Sequence, residues 1–300
     1  MLKKILMFFI LTIVLICILI SIKHFKEIKT LTNNINGTLY YNDYSNGNEA
    51  YSFNFSTSEI EKIYLDDNYE ILDYLISSNG YYCIVREQQN NDCFKTFYLQ
   101  HIDNSDKKII IPNTSGKLSL LDNGILFLSD YYSTASSFTL SYYALDSDSV
   151  GDIKSNIMDY CVLNNTIYFI KESDLFQYNI DTNTEKFIFK DCSQIITNGT
   201  NSLYVKTDNG IYKYSIKAEN FDEFSKKNNY KLIAVLNDEN IVLTKISKSE
   251  STDELEYNAF GNHAKQKYYI LSNNKLIHLK NLDGYNIEYA NYFNNIQENK

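Results

Sequence analysis

Residues Asn198 to Ile216 read NGTNSLYVKTDNGIYKYSI: a tight turn, a strand, a second tight turn and a second strand. Asn-Gly is the dipeptide that a two-residue type I′ hairpin wants, because both central residues adopt positive φ. The unit recurs along the chain with Asn-Gly or a close substitute at its head. Asn36-Gly37 precedes TLYYNDY, Asn79-Gly80 precedes YYCIVRE and Asn123-Gly124 precedes ILFLSDYY. Asn164-Asn165 precedes TIYFIKE and Asn237-Asp238 precedes ENIVLTKIS. The spacings run from about 34 to about 44 residues, the range of propeller blades.

Each period contains about four short strand patterns, the signature of a β-propeller. In TIYFIKE both strand faces are largely apolar. A two-layer sandwich exposes one face of each sheet and shows clean alternation, whereas blades pack neighbours on both faces. The expected fold is therefore all-β, a propeller over residues 36–296, with an irregular β-sandwich as the rival. The first repeat lacks an innermost strand before Asn36, and an extra strand, YNIEYANYF, runs from Tyr285 to Phe293. If that strand completes the first blade, the chain ends clasp a ring of six. The alternative is a seventh, incomplete blade headed by Asn273-Asn274. Two separate strands are expected near Ile153 and over Met158 to Leu163. AENFDEFSKK places Phe221 and Phe224 three apart, which suggests a helical turn.

The chain has 300 residues, 44% hydrophobic and 22% charged, and is globular by composition. A single proline and 27 tyrosines suit strands. Heavy use of Asn, Ile, Lys and Tyr, with Arg86 the sole arginine, fits an AT-rich bacterial genome. Residues 5–22 carry no charge and as a helix would span roughly 27 Å, close to a bilayer's hydrocarbon core. A cleaved signal peptide needs small residues at its cleavage site, and no alanine precedes Ala50. The reading is a tail at 1–4, a transmembrane signal anchor at 5–22, a connector at 23–35 and then the propeller. Lysines flank the apolar run on both sides, so orientation rests on the shortness of the tail. That places the propeller outside the cytoplasm. The net charge is −9, and residues 1–29 hold five lysines and one glutamate, which leaves about −13 on the rest. An acidic domain repels phosphate backbones, which argues against nucleic acid as a partner.

The run Tyr204-Val205-Lys206-Thr207-Asp208 followed by GIYKYSI resembles the YWTD-type propellers of lipoprotein-receptor ectodomains, and more closely their bacterial, membrane-anchored or secreted relatives. TIYFIKESDLFQYNI has the same shape. The resemblance covers roughly residues 37–280. The chain has no tryptophan and carries an extra residue within the motif. The resemblance implies a six-bladed propeller used for binding, and it brings no catalytic residue, because the repeat motif is structural.

Catalytic signatures are sparse. No Gly-x-Ser-x-Gly elbow occurs, and the Trp of sialidase-type repeats is missing. His24, His101, His263 and His278 lack metal-ligand spacing. Asp146, Asp148, Gly151 and Asp152 hint at calcium, but Val150 and Ile157 occupy ligand positions of an EF-hand loop, so a solvated turn explains them better. No cofactor or metal is expected. Cys83 and Cys93 occupy two strands of one hairpin and could pair after export; buried thiols are the simpler reading.

The expected function is a membrane-anchored, extracytoplasmic binding propeller for an envelope protein, peptide or glycan. A cell-envelope lyase or hydrolase with a site on one face is the alternative. The connections between second and third strands vary most in length, so the binding face is expected there. Candidate ligand contacts are Tyr44, Arg86, Tyr131 and Tyr132, with Tyr257, Phe260 and His263 from the long segment KSESTDELEYNAFGNHAKQ.

Overall fold

The structure, a computed structural model, describes residues 12–14, 35–43, 49–63, 69–77, 80–87, 97–103, 106–112, 114–132, 137–197, 202–237, 239–245, 266–287 and 290–293. Strands β1 (Thr38–Asp43), β2 (Glu49–Asn54) and β3 (Ile60–Ile63) open the chain. Strands β4 (Tyr69–Ser77), β5 (Gly80–Glu87), β6 (Phe97–Asp103) and β7 (Asp106–Pro112) form the next sheet. A seven-stranded sheet follows, made of β8 (Thr114–Leu121), β9 (Gly124–Tyr132), β10 (Ser137–Ala144), β11 (Ser149–Leu163), β12 (Thr166–Lys171), β13 (Asp174–Asn179) and β14 (Thr184–Phe189). Then come β15 (Cys192–Thr197), β16 (Ser202–Thr207), β17 (Gly210–Ser215) and β18 (Asn220–Ser225). The last full sheet is β19 (Tyr230–Asn237), β20 (Asn240–Lys245), β21 (Tyr268–Ser272) and β22 (Lys275–His278). Strand β23 (Ala290–Phe293) returns to the first sheet and pairs antiparallel with β1, Thr38 opposite Phe293 and Tyr41 opposite Ala290.

The seven-stranded sheet is two four-stranded units that share β11. The first part of that 15-residue strand pairs with β10 and the second with β12. The halves meet at Ile157, which faces both Phe138 and Lys171. The two strands expected near Ile153 and over Met158–Leu163 are thus one. No glycine or proline separates them, and Asn156, at φ 61°, bends the strand without ending it. The described strands therefore form six units, and the innermost strands touch in the order β4, β8, β11, β15, β19, β23, with β1 beside β4. This is a β-propeller.

Its core is divided rather than central. Among the described residues six hydrophobic clusters form, and each is shared by two successive units. Tyr160, Phe169 and Ile167 meet Leu126, Leu128 and Leu140 in one of them. Phe127 and Phe169, 1% and 0% exposed, each stabilise the ring by about 2–3 kcal/mol. Burial on both sheet faces explains the weak alternation of the inner strands. The outer edges carry Glu61 and Lys62, Glu185 and Lys186, and Asp222 and Glu223, charges that discourage edge-to-edge pairing.

Two local expectations are corrected. AENFDEFSKK is not a helical turn: Asn220–Ser225 is β18, and Phe221 stacks on Phe189 at 4.2 Å while Phe224 packs edge-on against Tyr204 at 5.0 Å. Residues three apart in a strand face opposite ways, so each phenylalanine serves a different neighbour. The turn before β9 is Asp122-Asn123, one residue earlier than Asn123-Gly124. Gly124 belongs to the strand, because a Cβ there would lie 2.1 Å from the Tyr142 ring. Asn164-Asn165 does form the expected two-residue turn, at φ 47° and 58°.

The apolar run at 5–22 lies outside the described residues except for Thr12–Val14, which are helical. No helix among the described residues is long and apolar enough to cross a membrane.

Candidate functional site

The innermost strands of the described units leave an axial channel. A cavity of about 370 Å³ occupies it, lined from β4, β8, β11, β15, β19 and β23 alike. That volume suits a small ligand or one end of a larger one.

Polar residues ring the channel at one level. Asp73 lies on β4, Lys117 on β8, Asp159 on β11, Gln194 on β15 and Asn291 on β23. Where β4, β8, β11, β15 and β19 pair with their second strands, a register shift falls beside this level, between Ile71 and Asp73 in β4 and between Cys192 and Gln194 in β15. A bulge inserts one residue and re-aims its neighbours, which turns a polar side chain toward the axis in an otherwise apolar strand.

The ring residues tie units together. Asp73 Oδ2 accepts the Leu118 N–H at 2.7 Å and Oδ1 that of Tyr74 at 2.8 Å. Asp159 Oδ2 accepts the Ile195 N–H at 2.9 Å, and Oδ1 accepts both the Tyr160 N–H at 2.9 Å and the Lys117 ammonium at 2.6 Å. Gln194 Oε1 accepts the Leu232 N–H at 3.0 Å. Asn291 Nδ2 donates to the Tyr74 carbonyl at 3.3 Å, which carries the ties across the join between the chain ends. The Tyr160 hydroxyl, fully buried, shares its one proton between the carbonyls of Lys117 and Leu126. Burial pushes the Asp73 carboxyl up to about 6, against the opposing pull of its two backbone donors and of Lys117. Cys161, a buried free thiol in the same wall, is pushed up to about 12 by burial.

The channel has two different mouths. Tyr69 at the start of β4 lies opposite Glu87 at the end of β5, so connections between second and third strands stand where the inner strands begin. The two-residue turns stand at the other mouth, where the inner strands end. The cavity runs from the polar ring toward this turn mouth, since its lining continues through Leu75, Leu120, Val162 and Thr197 to Asn164 and Asn165.

Of the sequence candidates, the strand positions of Arg86, Tyr131 and Tyr132 fall at the opposite mouth. Arg86 is near the end of β5, and Tyr131 and Tyr132 end β9. The side chains of Arg86 and Tyr131 lie outside the described residues. Tyr132 is 45% exposed, with its hydroxyl 3.5 Å from Thr139 Oγ1. Tyr44, Tyr257, Phe260 and His263 lie outside the described residues. Cys83 is a buried free thiol, and Cys93 lies outside the described residues. Asp148 accepts from the Tyr143 hydroxyl and lies 3.1 Å from Lys108, and Asp152 accepts from Ser141 at 2.9 Å. No group of three or more potential ligands gathers for a metal among the described residues. The channel residues went unnoticed in the sequence, although one signal was there: Asp73-Tyr74 and Asp159-Tyr160 repeat an Asp-Tyr pair inside two apolar inner strands.

No protein-family model and no curated protein matches the chain. Solved structures do. TolB from Acinetobacter baumannii aligns over 86% of this chain and 67% of its own, at 8% identity and a TM-score of 0.57. Puromycin hydrolase, as the S511A mutant complexed with PGG, aligns over 77% of this chain at 7% identity and a TM-score of 0.52. The chain spans 41% of that hydrolase's length. Both likenesses are to propeller folds. At these identities the fold is all they share with the present chain.

Proposed function

We propose that this chain is a membrane-anchored, extracytoplasmic binding propeller of six blades, related to the YWTD type, that holds an envelope protein, peptide or glycan. The observation that carries the reading is the channel, a ligand-sized cavity lined from all six inner strands whose two carboxylates are already committed. Each oxygen of Asp73 and of Asp159 accepts at least one N–H. A hydrolase or lyase in the channel would need a carboxylate or nucleophile available to substrate. Asp73 and Asp159 instead act as ties that keep the channel open. The apolar run at 5–22 supplies the anchor in this reading, and the acidic remainder suits a soluble domain held at a membrane surface.

Full-length protein immobilised through its C-terminus and exposed to envelope extract tests the reading. Saturable capture of one component, competed by free full-length protein, is expected. Turnover of envelope glycans or peptides without saturable capture would favour the enzyme instead. Replacing Ser249–Lys265 by an Asn-Gly turn assigns the mouth: unchanged capture by the shortened, folded protein excludes the long segment as the contact.

A further inference from the structure

The cavity changes character along its length. Its floor is charged, but the Lys117 ammonium pairs with Asp159 and donates to the Ile195 carbonyl at 3.1 Å, and both carboxylates are engaged by N–H donors. Beyond the floor, toward the turn mouth, the described lining bears no formal charge. Asn164 and Asn165 bring amides, Leu120 and Ile196 bring apolar surface, the Thr197 hydroxyl donates to the Ser202 carbonyl at 2.9 Å, and Tyr292 lines the wall with its ring packed edge-on against Phe55 and its hydroxyl on the Asn36 carbonyl at 3.2 Å. Leu120 is 45% exposed although it lies on an innermost strand, so its apolar surface is available inside the channel. The Asn165 side-chain Oδ1 accepts the Asp122 backbone N–H at 3.1 Å, which fixes the side-chain amide at the mouth and leaves its Nδ2 hydrogens as donors.

We propose that the turn mouth of the channel takes one uncharged, hydroxyl-rich ring of a ligand, a neutral sugar unit entering end-on. The inference rests on the binding reading above and adds the ligand class. A sugar ring combines an apolar C–H face with a rim of hydroxyls, and this lining alternates apolar side chains with amides in the same way. An anion would approach against a domain of about −13 and meet carboxylates at the floor. A cation would have to displace the donors that Asp73 and Asp159 already hold. A neutral ring meets neither obstacle, and aromatic and amide groups are the usual means of holding one in a mostly apolar pocket.

The test uses full-length protein in a detergent without a sugar headgroup, with saturation-transfer NMR as the readout. The probes are glucose and N-acetylglucosamine, with glucuronic acid and glucosamine as anionic and cationic forms of the same ring. The neutral rings are expected to bind, and the charged ones at least about tenfold more weakly, the equivalent of one badly matched buried polar group. Leu120→Trp, which narrows the channel, should abolish the signal, and Phe187→Ala on the outer strand β14, 54% exposed and away from the channel, should leave it unchanged. Should Leu120→Trp fail to fold, Asn165→Asp keeps the oxygen that Asp122 needs and adds a charge at the mouth; it too should weaken the neutral ring about tenfold. Charged rings binding as well as neutral ones, neutral binding that survives both channel variants, or no neutral binding at all would overturn the proposal. If sugars fail while envelope capture persists, the ligand class falls and the binding reading stands. If capture also fails, both fall.

Discussion

The Lys117 ammonium lies 2.6 Å from Asp159 Oδ1 and 3.1 Å from the carbonyl oxygen of Ile195, so one side chain links three consecutive units of the ring. Its backbone, at φ 42°, sits in the left-handed region beside the register shift in β8, and its ammonium lies 5.6 Å from the centre of the Tyr160 ring. The two charged side chains are only 16% and 17% exposed. A pair so placed gives modest net stability, but loss of one partner strands the other.

Asp159→Ala is therefore expected to cost about 2–4 kcal/mol, because it leaves the Lys117 ammonium without its counter-charge, with only the Ile195 carbonyl as acceptor, and the Ile195 N–H without its acceptor. Asp159→Asn should cost less, since one oxygen remains. Urea unfolding of the two variants checks the order. Equal stability of Asp159→Ala and the parent would show that the tie carries no weight.

Asp73 makes the ring sensitive to pH. Its folded pKa is raised to about 6, above the value of an unfolded aspartate, so its contribution is fully present below the unfolded pKa and is lost as pH rises through about 6. Stability relative to a non-titrating Asp73→Asn variant should fall between about pH 4 and pH 7, by on the order of 3 kcal/mol at most. Denaturation of both proteins at the two pH values measures it. A difference that stays constant, or grows with pH, would contradict the burial argument.

Tyr160→Phe removes a buried hydroxyl that serves two carbonyls, those of Lys117 and Leu126. The ring itself keeps its place in the shared cluster, so the loss should be confined to the hydrogen bonds, about 1–2 kcal/mol. Thermal unfolding checks this. A loss as large as that of Tyr160→Ala would mean that packing had been disturbed as well.

Much of the ring was legible in the sequence, because blades need short strands and tight turns at a fixed period. The closing strand was legible in part: a strand over Tyr285–Phe293 stood out as left over, and β23 pairs with β1, but it begins only at Ala290, and residues 285–287 lie outside any strand. β11 was not legible, since an outer strand that continues as the next inner strand has no turn to mark the boundary. The channel was hidden for a related reason. A polar residue in an apolar strand reads as an outward position, and only the bulge beside Asp73 or Asp159 turns it inward. Phe221 and Phe224 misled because a spacing of three fits one helix face as well as two strand faces.

The channel exists only if β23 closes the ring, so register across that join is the decisive quantity. Tyr40 faces Asn291 across β1 and β23, and neither is fully buried. Cysteines placed at these two positions, with the native cysteines replaced by alanine, should oxidise to an intramolecular disulfide in high yield. The pair at Tyr40 and Phe293, displaced along the strands, should not. Efficient closure of the displaced pair, or failure of the matched pair in a folded protein, would contradict the account.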